Sequence, residues 1–122
     1  MSVSARDSVI LAMGVFAPAV IVGCAINAEP DFDSAVPQER YLAIREAERT
    51  RDRQALPELI RQLSVDDPLV RLAAIDALEA ITDQTLGYDP NAREIERRQA
   101  VGRWVEWYES DARASADPEA DQ

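Results

Sequence analysis

The sequence contains no histidine and no lysine, and all thirteen of its basic residues are arginine. Imidazole acid–base catalysis, Schiff-base chemistry and histidine-based metal ligation are therefore absent together, and most enzyme mechanisms lose their usual actors. One cysteine, Cys24, forms no internal disulfide, so no such bridge staples the fold. Positive charge is also scarce. Twenty-three acidic residues outnumber the arginines and give a net charge of −10. A phosphate backbone or anionic surface would repel such a chain, which argues against nucleic-acid binding. At 122 residues, what folds is one small domain.

The chain divides into four stretches. In residues 1–23, Val9 to Val22 reads VILAMGVFAPAVIV without a charge, after a short polar start containing Arg6 and Asp7. This is the layout of a secretory signal, and it is short for a membrane span. A cytosolic core helix is disfavoured, because Gly14 and Pro18 interrupt the run and no polar face exists. Residues 24–36 place Cys24 before the polar, acidic segment AINAEPDFDSAV, which lacks helical or alternating periodicity and reads as a flexible linker. Its twelve residues after Cys24 would extend roughly 40 Å at about 3.3 Å each. Glu29, Asp31 and Asp33 are oxygen donors without the glycine turn and terminal glutamate of a calcium loop, so solvated charge is the favoured reading.

Residues 37–109 carry helical patterning. Pro37 opens a first helix with Glu39 in its first turn and Tyr41, Leu42, Ile44 and Ala47 as the apolar stripe. A second follows Asp52, with Leu56, Leu59, Ile60 and Leu63 at i, i+3, i+4 and i+7. The Ser64–Asp67 segment breaks it. Asp67 caps a third helix that begins at Pro68 and runs to about Thr82. Val70, Ala73, Ala74, Ala77, Leu78 and Ile81 form one apolar face of this helix, and Leu69, Leu72 and Ile75 add a second. Arg71, Asp76, Glu79 and Asp83 leave only a narrow polar strip, so the helix is expected to be surrounded on most sides. A connection punctuated by Gly87 and Pro90 tucks Leu86 and Tyr88 beneath itself. Asp89 and Asn91 within it read as turn formers rather than metal ligands. A fourth helix then runs from about Ala92 to Glu109, with Ile95, Val101, Trp104, Val105 and Tyr108 on one stripe and Trp107 off it. Residues 110–122 are small and acidic, and are expected to be a disordered tail.

Two resemblances rest on these residues. Ile21-Val22-Gly23-Cys24 resembles the lipobox of bacterial lipoproteins, which implies lipidation of Cys24 with diacylglyceryl and acyl (palmitate-type) chains and cleavage before it. Several chains make a stable anchor where one is marginal. The resemblance implies a membrane-anchored lipoprotein of the cell envelope, facing the periplasm or exterior. Ala25 after the cysteine leans toward the outer membrane. A retained signal anchor spanning Val9 to Ala28, and cleavage after Ala28, stay open as alternatives.

The segments ALPELIRQL (55–63), SVDDPLV (64–70) and RLAAIDALEAI (71–81) resemble one HEAT repeat: a helix of form A-L-P-x-L-I-x-x-L, a D-x-x-V-R turn, and a helix beginning V-R-x-A-A. The resemblance implies an all-α, HEAT-like helical repeat stack of about four helices, with the outer two supplying the faces that one repeat cannot bury alone. In that family the arginine at the position of Arg71 pairs with an aspartate along the repeat ladder, which implies a structural role for Arg71.

Together these readings imply a non-catalytic envelope module acting through an unnamed protein partner, with no cofactor, no metal and no nucleic acid. Candidate partner-binding residues are Arg45, Arg49, Arg61 and Trp107; Trp107 is either a partner anchor or a lid over Leu86 and Tyr88. A structural spacer, signal-anchored or secreted, and an accessory subunit of an enzyme are the alternatives. Asp66 and Asp67 are the only paired acids offered for catalysis, and helix capping already accounts for them.

Overall fold

A computed structural model describes residues 28–117. The leader 1–23, Cys24 and the end of the tail lie outside the described residues. Four α-helices occur in order: α1 (Pro37–Thr50), α2 (Leu56–Gln62), α3 (Pro68–Thr82) and α4 (Glu94–Ala116), with a short 3-10 turn over Arg53–Ala55 leading into α2. No strand occurs among the described residues.

Local chemistry sets the helix starts. Pro37, Pro57 and Pro68 each stand in a first turn, where a missing N–H breaks no helical bond. Asp67 caps α3 through Oδ1, which accepts from the backbone N–H groups of Leu69 at 2.8 Å and Val70 at 3.1 Å. Asp52 accepts from Gln54 N–H at the start of the 3-10 turn. At the start of α4, the Glu96 carboxylate reaches back to the Arg93 N–H. α1 and α3 end in left-handed residues, Arg51 at φ 50° and Asp83 at φ 60°.

The helices form two layers. α1 lies along α3 in one, α2 lies beside α4 in the other, and α2 packs against α3 across the middle. Ala73, Ala74 and Ala77 on α3 are buried, and their small side chains let neighbouring helices approach closely. The interior is filled by Ile44, Leu56, Leu59, Leu63, Val70, Leu78 and Trp104. The Trp104 indole is wholly buried, and its N–H donates to the Thr85 carbonyl at 3.1 Å.

Non-helical chain closes both ends of the stack. The 83–93 connection buries Tyr88, whose hydroxyl donates to the Leu63 carbonyl at 2.7 Å. Gly87 sits at φ 73°, and a Cβ there would come within 3.0 Å of the Arg103 guanidinium, which itself donates to the Leu86 carbonyl. Asp89 accepts from Asn91 N–H, confirming a turn former.

Several sequence expectations are corrected here. Residues 31–36, read as free linker, are held against the domain. Phe32 packs on the core and its carbonyl accepts from the buried Gln62 side chain at 3.0 Å, while Asp33 pairs with Arg61 at 2.6 Å. α4 continues past Glu109 to Ala116, because Ser110–Ala116 is composed of tolerable helix formers and Asp111 is tied to Arg53 at 2.8 Å. Ile95 and Val105, placed on the apolar stripe of α4, are exposed; Ala100 and Trp104 are its buried residues. On α1 the buried set is Ala43, Ile44 and Ala47, with Tyr41 exposed.

α3 departs most from expectation. It is not surrounded: Leu69 is 68% exposed and Leu72 44%. Arg71, assigned to the polar strip, is instead buried, and its guanidinium donates to the Val65 and Asp66 carbonyls at 2.9 and 2.6 Å. It braces the α2–α3 turn through backbone oxygens rather than through an aspartate carboxylate.

Candidate functional site

The arrangement of α1 against α3 leaves apolar side chains uncovered on one surface. From α1 comes Tyr41, 41% exposed, and from α3 come Leu69 and Leu72. Helical geometry explains the grouping. Residues 69, 72, 76 and 79 succeed one another at three- or four-residue steps, so they form one ridge along α3. Burial confirms the ridge, since Leu69, Leu72, Asp76 and Glu79 are exposed while Val70, Ala73, Ala74, Ala77 and Leu78 face inward.

Between the ridge and α1 runs a groove. Its broader part, about 300 Å³, is walled by Pro37, Gln38, Tyr41, Asp67, Leu69 and Val70. A smaller hollow continues it, walled by Tyr41, Arg45, Leu69, Leu72, Ala73 and Asp76, so that Tyr41 and Leu69 are shared by both parts. One end of the groove is thus apolar and the other carries charge.

The charges there are not equivalent. Arg45 pairs with Glu48, and Arg49 donates through two nitrogens to Glu46 at 2.7 and 3.0 Å. This hydrogen bonding holds the Glu46 carboxyl below the usual carboxylate range and raises the Arg49 guanidinium correspondingly. Asp76 and Glu79 form no ion pair among the described residues. Arg51 is occupied elsewhere, donating to the Ala80 carbonyl at 2.6 Å and fastening the end of α1 to α3.

The residues singled out from the sequence are only partly brought together. Arg45 lines the groove, and Arg49 follows one turn further along α1. Arg61 lies in the other layer, on α2, where it pairs with Asp33 and Glu58 and holds the 31–36 segment down. Trp107 is half-buried and meets Trp104 edge to face, ring centroids 5.5 Å apart at 78°. That packing sets one edge of Trp107 against Trp104 and leaves the rest part-exposed. Ile21, Val22, Gly23 and Cys24 fall outside the described residues.

Sequence reasoning missed Tyr41, Leu69, Leu72 and Asp76 as a set. A usable signal existed, because on a 3.6-residue period Leu69 and Leu72 share their arc with Asp76 and Glu79. Leucines on the same arc as carboxylates mark an apolar patch open to water, not a second buried face.

Among the described residues, no group of three or more Cys, Asp or Glu is placed to hold a metal ion, and no helix is long and apolar enough to cross a membrane. Of the paired acids Asp66 and Asp67, Asp67 caps α3 through Oδ1 and borders the groove.

Two stacked layers of helices, α1 with α3 and α2 with α4, joined by irregular chain, define a short helical-repeat protein. Residues 32–94, more than half of the chain, match the family described as HEAT repeats, and the chain belongs to that family. No curated protein and no solved structure matches it. The family match begins at Phe32, the residue at which the chain docks on the domain, and ends at Glu94, the first residue of α4.

Proposed function

We propose that this chain is a lipid-anchored, non-catalytic HEAT-repeat module of a bacterial cell envelope that acts by binding another protein through the α1–α3 groove. The observation that carries the reading is the exposed apolar surface of Tyr41, Leu69 and Leu72. Large apolar side chains gathered around a groove at a helical-repeat surface are where such stacks receive partners. Arg45 edges the groove, with Arg49 one turn further along α1, and both contribute to selectivity rather than to bulk affinity. Arg61 and Trp107 support the domain. Anchoring rests on the Ile21-Val22-Gly23-Cys24 pattern, with Cys24 as the acylated residue and no reaction chemistry assigned to it.

Two experiments test this. A photo-crosslinking residue at position 69 of the chain expressed in its own cells should yield one discrete protein adduct, and the same residue at position 106 on α4 should not. No adduct from position 69 would overturn the groove reading. A fatty-acid probe should label the wild-type chain and leave Cys24→Ser unlabelled; an unlabelled wild type would remove the anchor while leaving the groove intact.

A further inference from the structure

The electrostatics of the groove go further than its shape and specify the chemistry of its occupant. On α3 the only base is Arg71, and it is buried against the Val65 and Asp66 carbonyls, so α3 presents no cation to solvent. It does present carboxylates, Asp76 and Glu79 on the same ridge as Leu69 and Leu72, with Asp83 exposed just beyond. Across the groove, two arginines of α1 are answered by glutamates of α1, Arg45 by Glu48 and Arg49 by Glu46, and the third, Arg40, donates to the Ser34 carbonyl. Asp76 and Glu79 form no ion pair among the described residues, and Arg45, which shares the hollow with Asp76, is engaged by Glu48. The ridge therefore reads, from its start, apolar, apolar, acidic, acidic. Leu69 to Asp76 spans about 10 Å along the axis at about 1.5 Å per residue, or two helical turns.

We infer that the groove takes a basic amphipathic segment of a partner protein, one that sets apolar side chains against Tyr41, Leu69 and Leu72 and an arginine or lysine about two helical turns away against Asp76 and Glu79. The inference rests on the proposed protein-binding role of the groove and names its ligand class. Complementary charge at a partly exposed rim steers encounter and fixes register, while the apolar contacts supply most of the affinity. An acidic or neutral amphipathic segment meets the same leucines but leaves both carboxylates uncompensated, and repulsion disfavours the acidic one. Acidic headgroups are excluded on the same ground.

The test uses the full chain held in zwitterionic phosphatidylcholine nanodiscs, with empty discs as the reference. A fluorescent amphipathic helix of leucine and lysine should bind, and more weakly as salt is raised; its leucine–glutamate counterpart should bind at least tenfold more weakly. Asp76→Lys should weaken the leucine–lysine peptide at least tenfold and improve the leucine–glutamate one. Leu69→Gln with Leu72→Gln should abolish binding of both, at an unchanged melting temperature, and Glu106→Lys on α4 should change nothing. Equal binding of both peptides, or no response to Asp76→Lys, overturns the inference. So does a mass measurement showing that a second copy of the chain covers the groove. The crosslinked partner separates the two levels: an adduct at position 69 through a segment without basic residues sinks this inference and keeps the groove reading, whereas no adduct sinks both.

Discussion

The two layers of the stack handle their apolar residues differently. In the α2–α4 layer, Leu56, Leu59, Leu63 and Trp104 are wholly or almost wholly buried, and the neighbouring connection adds Tyr88 with its hydroxyl satisfied. α4 of that layer leaves Ile95 and Val105 exposed, but away from the groove. In the α1–α3 layer, the inner faces are equally well buried, yet Tyr41, Leu69 and Leu72 remain in water, gathered around the groove. Both layers belong to one cooperative body of fewer than 100 described residues. The contrast separates residues the fold requires from residues it merely carries. Side chains of the second kind are where an interaction role shows, because folding does not explain their hydrophobicity.

The sharpest way to break this contrast is to remove the centre of the buried layer. Trp104→Ala should cost about 3–5 kcal/mol in chemical denaturation, since it leaves a cavity, orphans the Thr85 carbonyl and strips Trp107 of its edge-to-face partner. A loss below 1 kcal/mol would mean that α4 is not integral to the body.

Arg71 comes next. Arg71→Met retains most of the side-chain volume but leaves the Val65 and Asp66 carbonyls without their donor, for an expected loss of about 2 kcal/mol. Unchanged stability would show that the turn holds without its brace.

Tyr88→Phe is a subtler change, expected to cost about 1 kcal/mol for the lost bond to Leu63. Burial pushes the Tyr88 phenol above its ordinary value of 10.0. The folded state therefore holds this proton more tightly than the unfolded chain does. Its contribution is fully present below about pH 10, the unfolded value, and is lost as the pH rises through the higher folded one. Wild type should lose stability over that alkaline range more steeply than Tyr88→Phe, as parallel denaturation curves would reveal.

On the open layer, Leu69→Gln and Leu72→Gln should each shift stability by no more than about 0.5 kcal/mol, the range of ordinary surface substitutions. A loss of about 2 kcal/mol or more would make them core residues and erase the difference between the layers. The smallest expected effect is at the exposed Arg49–Glu46 pair. Arg49→Ala should return the Glu46 titration, followed by carboxyl NMR, toward the ordinary glutamate value, without a measurable change in melting temperature.

Much of this architecture is legible in the residues. Pro37 and Pro68 mark helix starts, Asp67 is a cap, Gly87 takes a left-handed turn, and the ALPELIRQL and VRLAA segments resemble the HEAT family to which the chain belongs. Local chemistry fixes these features, so local reading finds them. What escaped depends on distant partners. Phe32 is a lone aromatic in a polar segment, and only the proximity of Gln62 and Arg61 explains why it docks. For Arg71 the resemblance implies a structural role but not its acceptors, which are the nearby Val65 and Asp66 carbonyls, backbone oxygens that no side-chain pattern reveals. The groove is hard to see in the sequence because Leu69 and Leu72 read as a packing face, although Asp76 shares their arc. Ser110–Ala116 has no apolar stripe to announce a helix, and Asp111 is pinned by an arginine 58 residues earlier.

The docking of Phe32 also shortens the leash. Only eight residue steps separate Cys24 from Phe32, a maximum reach of about 26 Å at 3.3 Å per step. With Cys24 as the acylated end, the folded body would hover closer to the lipid than the ~40–45 Å thickness of one bilayer. A binding partner would have to be a resident of that narrow shelf rather than something fished from the far side of the compartment.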